Sequence, residues 1–226
     1  MRTAPADTMR KLMTEQASLM LWDLEAIKVS LDQPFRLTSG NFSPIYINCR
    51  RVISDAAAMD VVTAFAHWIC QAEGVQMDML AGGETAGIPF ASFVASRLGK
   101  PMVYVRKRPK DHGLGGLVEG ELVASARVLL VEDLITDGQS KLDFIGALRE
   151  AGGVAEDCLV LFDRLQGGRE MLAQNGVRLM SITDVNAALA FAGKQGRLAE
   201  PDLAEIHAYL ADPRAWHRAR QIPYKG

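Results

Sequence analysis

The chain of 226 residues has only three cysteines, Cys49, Cys70 and Cys158, and they lie far apart. An odd count without C-x-x-C spacing argues against a disulfide framework or a zinc site, and a reducing cytoplasm is the simplest location. The sequence lacks an uncharged apolar run of about 18 residues, so no transmembrane helix and no membrane partner are expected. Its opening stretch, M-R-T-A-P-A-D-T-M-R-K-L-M-T-E-Q, is charged throughout and lacks the apolar centre of a signal peptide. Excess positive charge is missing as well: the formal net charge is −2. A duplex nucleic-acid binder usually carries a basic face, so no nucleic-acid partner is expected. No G-x-x-x-x-G-K-[ST] phosphate loop occurs. G-L-G-G-L-V (113 to 118) fails the dinucleotide pattern, because it ends on Val118 and does not join a strand to a helix. Repeats, low-complexity tracts and linkers are also lacking.

What is present is an apolar content of 49%, enough at this length for one large core or a core with a small subdomain. Apolar residues at helical spacing predict an amphipathic helix over 7 to 29. F-R-L-T-S-G-N-F-S-P-I-Y-I-N-C-R (35 to 50) predicts two short strands around a turn marked by Ser39, Gly40, Asn41 and Pro44. Ser54 is the expected N-cap of a helix over 55 to 73. Strands and helices then alternate. Strands are expected at 79 to 83, 102 to 105, 127 to 133, 154 to 163 and 177 to 183, and helices at 86 to 98 and 139 to 151. Asp184 caps a further helix, and the tail from Pro201 is helical. This alternation implies an α/β fold with a doubly wound, mostly parallel sheet covered on both faces.

The segment V-L-L-V-E-D-L-I-T-D-G-Q-S (128 to 140) concentrates the chemistry. In such a sheet, ligands bind beyond the carboxyl ends of the strands. Two adjacent carboxylates cannot share one core-facing position, so Glu132 and Asp133 are placed at the rim. Taken alone, the pair is simply a solvated strand end. Thr136, Asp137, Gly138, Gln139 and Ser140 follow where the loop becomes a helix. A helix N-terminus offers unpaired amides and a positive dipole end to a phosphate. Carboxylates do not hold phosphate, but they accept hydrogen bonds from sugar hydroxyls or act on magnesium. A ligand with a ribose and a phosphate satisfies both halves.

The same segment resembles the phosphoribosyl-diphosphate signature of type I phosphoribosyltransferases: four apolar residues, two acids, two apolar residues (here Leu134 and Ile135), then Thr-x-Gly-x-Ser/Thr. Three further segments resemble the orotate phosphoribosyltransferase family: the 35 to 50 segment, similar to its N-terminal hood; A-G-G-E-T-A-G-I-P-F-A, similar to a strand-to-helix turn; and Y-V-R-K-R-P-K-D-H-G-L-G-G-L-V-E-G (104 to 120), similar to its mobile catalytic loop. Order and spacing match from about residue 35 to residue 164.

The resemblance implies one phosphoribosyltransferase domain over 1 to 226, with hood elements mainly in about 1 to 50, a core over about 55 to 185 and a helical tail to which no function is assigned. The implied reaction transfers ribose 5-phosphate from 5-phosphoribosyl 1-diphosphate to N1 of orotate, with magnesium held mainly by substrate oxygens and water rather than by protein side chains. Amides from Thr136 to Ser140 hold the 5-phosphate, with Leu134 and Ile135 in the same segment. Glu132 and Asp133 bind the ribose hydroxyls. Arg106, Lys107, Lys110 and His112 close over the diphosphate as a lid that glycines 113, 115 and 116 allow to move. Lys107, Lys110, His112 and Asp133 are the implied catalytic set. Thr136 and Arg164 orient orotate, the planar guanidinium suiting a carboxylate. A homodimer is implied, the loop over 106 to 120 closing on the neighbouring subunit's site. Taken alone, the basic cluster is a solvated charged loop, and Arg164 is one partner of a nearby acid.

The chain departs from some relatives at Thr38, Phe42 and Ala86, where lysines occur; this bears on substrate affinity. Cys49, near the hood, is read as a small packed residue. Two alternatives remain open: a purine or another pyrimidine as acceptor, and a phosphoribosyl-diphosphate sensor that binds nucleic acid. The shortness of the chain, its lack of basic charge and its complete lid weigh against the sensor.

Overall fold

The computed structural model describes residues 4–37, 39–109 and 116–225. Helix α1 (Ala4–Asp23) is followed by short strands β1 (Ile27–Val29), β2 (Phe35–Arg36), β3 (Phe42–Ser43) and β4 (Ile45–Ile47). The helix stops six residues short of the expected end, because the chain turns back through Glu25, which has φ 51°, into β1. The hood holds two ladders rather than one. β2 pairs with β3 around the expected turn, whereas β4 pairs antiparallel with β1. A 3-10 turn (Cys49–Ser54) leads to α2 (Ala56–Ala72). Its cap is Asp55 rather than Ser54: the carboxylate accepts from the Ala58 amide at 2.9 Å, a contact worth about 1 kcal/mol.

The core continues with β5 (Met79–Gly83), α3 (Gly87–Leu98), β6 (Met102–Val105), β7 (Val118–Glu119), β8 (Arg127–Ile135), α4 (Gln139–Glu150), β9 (Val154–Asp163), α5 (Gly168–Gln174) and β10 (Arg178–Asp184). Three helices close the chain: α6 (Val185–Lys194), α7 (Glu200–Ala211) and α8 (Pro213–Ala219). Asp184 caps α6 by accepting from Ala187 N at 2.9 Å, as its position predicted. β7 and α5 carry no clear sequence signal. β7 is two residues long and exists only as the antiparallel partner of β6.

The strand order is β10-β9-β8-β5-β6-β7, parallel throughout except for β7. Successive side chains on a strand point to opposite faces. Leu129 and Val131 accordingly join the core beneath α1, α2 and α3, while Val128 and Leu130 join the core beneath α4 and α5. This is the doubly wound α/β arrangement that the alternation predicted. The chain builds outward in one direction from β5 and in the other from β8. The two central strands therefore form a topological switch point, and a crevice opens beyond their carboxyl ends.

Candidate active site

β8 runs to Ile135, two residues beyond its expected end, so Glu132 and Asp133 lie inside the strand and not at the rim. They are only 4% and 7% exposed, which calls for partners. Glu132 has them: Oε1 accepts from the Gly83 amide at 2.7 Å and Oε2 lies 3.0 Å from Nζ of Lys141. Gly87 leaves the space the carboxylate fills; a Cβ there would stand 1.9 Å from Oε1. Burial holds the Glu132 carboxyl above the usual carboxylate range, against the pull of Lys141. Glu132 thus joins the end of β5 to the first turn of α4. In Asp133, Oδ1 accepts from Leu134 N at 2.8 Å, and Oδ2 faces Arg50 Nε at 4.0 Å, beyond hydrogen-bond reach. That oxygen is placed to accept from a ligand.

The turn after β8 is built for close approach. Gly138 has φ 90° and caps α4, and a Cβ there would meet Leu172 Cδ1 at 2.9 Å and Gly168 O at 3.2 Å. Helix α5, which the sequence did not reveal, backs the turn. Asp137 Oδ1 accepts from Gln139 N at 3.1 Å, fixing the loop. Thr136, Asp137, Gly138 and Ser140 line a cleft of about 800 Å³, together with Glu132, Asp133 and Leu134. Ile135 is fully buried below the turn, and the Gln139 side chain turns to Asp143 at 2.9 Å.

Across the cleft, Arg164 follows β9, its amide donating to Ile135 O at 3.0 Å. Asp163 is buried, pairs with Arg169 at 3.3 Å and accepts from Leu165 N at 2.8 Å. Arg164 is therefore not engaged by its neighbouring acid, and its Nε is buried without a hydrogen-bond partner. Burial lowers the guanidinium pKa, and Tyr209 opposes this. Arg164 and the phosphate turn line the same cleft.

Of the lid, Lys107 lines the cleft, and its amide donates to Glu84 Oε2 at 2.8 Å. Arg106 lies at the stem, Nη1 facing Glu119 at 3.6 Å. Lys110, His112, Gly113 and Gly115 lie outside the described residues, as does Thr38. Phe42 and Ala86 replace lysines without leaving the cleft uncharged, since Arg36, Arg50 and Lys141 line it. Sequence reasoning passed over these three cations and the aromatic residues Tyr46, Tyr209 and Tyr224, which also line it. Only Lys141 had a signal, as the residue directly after Ser140.

Cys49, Cys70 and Cys158 are buried and unpaired; burial pushes the Cys70 thiol up to about 12. Among the described residues no three His, Cys, Asp or Glu side chains gather to hold a metal, and no helix is long and apolar enough to cross a membrane.

Comparison with known proteins agrees with this geometry. A family model described as a phosphoribosyl transferase domain matches residues 53–187. The orotate phosphoribosyltransferase of Sinorhizobium fredii is 43% identical over 215 residues, covering 93% of each chain. That of Rhizobium meliloti is 42% identical over 215 residues, again covering 93% of each. Among solved structures, orotate phosphoribosyltransferase from Aeropyrum pernix superposes with a TM-score of 0.69 at 33% identity, covering 80% of this chain and 99% of that one. Leishmania donovani UMP synthase gives a TM-score of 0.77 at 27% identity; the match covers 88% of this chain but 42% of that longer one. Relatives this similar over nearly their whole length, on this sheet and with this turn, identify the chain as an enzyme of the orotate phosphoribosyltransferase family.

Proposed function

We propose that the enzyme transfers ribose 5-phosphate from 5-phosphoribosyl 1-diphosphate to orotate, giving orotidine 5'-monophosphate and diphosphate in the pyrimidine route to UMP. The observation that carries the reading is the single cleft holding both a phosphate-type turn and a buried guanidinium, Arg164, whose Nε has no protein acceptor. The first suits a phosphorylated ribose and the second a carboxylate on the acceptor base.

In this reading the turn from Thr136 to Ser140 holds the 5-phosphate. Asp133 accepts from a ribose hydroxyl through Oδ2. Glu132, both of whose oxygens already have partners, keeps further lone pairs toward the cleft and holds β5 and α4 at a fixed separation. Arg164 and Thr136 orient orotate so that N1 faces the anomeric carbon. The C1–O bond breaks with its electron pair leaving on diphosphate, the C1–N1 bond forms, and the N1 proton passes to the diphosphate or to water. Lys107 neutralises the departing diphosphate from its place on the cleft wall, and Arg106, Lys110 and His112 reach the diphosphate from the loop of the neighbouring subunit. A magnesium ion would be held by substrate oxygens and water, with Asp133 Oδ2, which makes no hydrogen bond among the described residues, able to reach its waters, and it would offset charge on the diphosphate. The active form is a homodimer with the 106 to 120 loop closing over the neighbouring site, in a reducing compartment that suits three unpaired thiols.

Orotate absorbance followed with phosphoribosyl diphosphate and magnesium tests this reading, with uracil, hypoxanthine and adenine run in parallel by product analysis. Consumption of orotate alone, abolished by chelation, is expected. Turnover of another base in its place would discard the acceptor assignment while leaving the family standing.

A further inference from the structure

We propose that the segment from Tyr209 to Lys225 is the specificity wall of the base-binding side, in which Tyr224 stacks against the planar acceptor. The inference rests on the orotate reading and deepens it.

Tyr209, Pro213 and Tyr224 line the same cleft as Arg164, although they lie beyond the last strand of the sheet. Tyr209 is 3% exposed and held edge-on by the Trp216 ring at 5.2 Å. It lines the cleft together with Arg164. Tyr224 is 38% exposed, with Arg214 over its ring at 5.4 Å and His217 in a T-shaped contact with it at 5.0 Å. A buried cation beside rigid aromatic rings suits a flat anionic heterocycle: the cation takes the carboxylate, and a ring takes the face.

The wall is fastened to the hood, which makes its placement more than incidental. Asn41 Nδ2 donates to Lys225 O at 2.9 Å, and Lys225 N donates to Asn41 Oδ1 at 2.7 Å. The Phe42 amide donates to Nε2 of His217 at 3.0 Å. Nε2 must then be the bare nitrogen, and Nδ1–H donates to Pro213 O at 2.6 Å. His217 is 1% exposed and sits where the wall meets the hood turn. It is a positioning residue: it is not part of the cleft lining, and it fixes the wall relative to Leu37, Ser39 and Asn41, which line the cleft from the hood.

The test is steady-state kinetics on the full chain, each substrate varied with the other saturating. Tyr224→Ala is expected to raise KM for orotate about tenfold and KM for phosphoribosyl diphosphate less than about twofold, with Tyr224→Phe close to wild type. His217→Leu is expected to show the same split, and His217→Gln, which can restore an acceptor for the Phe42 amide, to recover part of it. If His217→Leu fails to fold, Tyr224→Ala still decides, because a half-exposed side chain can be shortened without opening the core. Equal shifts in both KM values, or none, for Tyr224→Ala would overturn the wall while leaving the enzyme's reading intact. A wild-type protein that does not use orotate would overturn both.

Discussion

The two ends of the cleft are built in opposite ways. The end proposed for the phosphate comes from one continuous run, Glu132 to Lys141, in which a strand, a turn and a helix each supply part of the site. The base end is assembled from the hood, Arg164 and the closing helices; His217 and the Phe42 amide it accepts from are 175 positions apart. A contiguous cradle is fixed by local backbone geometry and one buried ion pair. A composite wall is fixed by packing between segments that meet only when the chain is fully folded. Substitutions at the first should disturb the fold together with phosphate binding, and those at the second should change orotate binding with less general damage.

The largest expected effect is on the ion pair. Lys141→Met leaves the Glu132 carboxylate buried without its cation and should lower unfolding free energy by about 3–5 kcal/mol, measured by urea denaturation. Adding Glu132→Gln should recover part of the loss. The pH dependence has a definite sign. Burial raises the folded-state pKa of Glu132 above its unfolded value. The protonated group's contribution is then fully present below the unfolded value and lost as pH rises through the folded one. Removing Lys141 raises that folded value further, so the deficit should be smaller near about pH 5 than near about pH 8. A deficit independent of pH would mean that Glu132 is not the group responsible.

Next comes the base end. Arg164→Lys keeps the charge but loses the planar fork, and should lower kcat/KM for orotate about a hundredfold, with KM for phosphoribosyl diphosphate within about threefold. Equal loss on both substrates would erase the distinction between the ends. The smallest effect is expected at Gly138. With φ 90° and Leu172 Cδ1 waiting 2.9 Å from a new Cβ, Gly138→Ala should cost about 1–2 kcal/mol of stability. It should raise KM for phosphoribosyl diphosphate and leave KM for orotate unmoved.

The same contrast explains what the sequence made legible. The alternating strands and helices, the Asp184 cap and the turn from Thr136 to Ser140 follow from neighbours in the chain, and they were read correctly. The depth of Glu132 and Asp133 was misjudged because the partners that compensate Glu132, Gly83 and Lys141, lie on other elements, as does Arg50, which faces Asp133. Two acids in a row look like a rim until a buried amine turns toward one of them. Helix α5 is only seven residues long and opens on glycine, too little for a period to emerge. Arg164 was legible through resemblance alone. Tyr209 sits in a helix whose pattern shows where it is apolar but not which cleft it will meet, and Tyr224 lies beyond the last helix, where no period helps.

The enclosed Nε of Arg164 carries a consequence for affinity. A guanidinium normally sheds its water when a ligand arrives, and that loss is subtracted from binding. Here part of that loss is taken when the chain folds, because Nε is enclosed without an acceptor among the described residues. A buried donor without an acceptor weakens the fold by about 1–3 kcal/mol. In the orotate reading, an incoming carboxylate would meet a guanidinium that the fold has already part-desolvated, so the burial that weakens the fold would also lower the cost of binding.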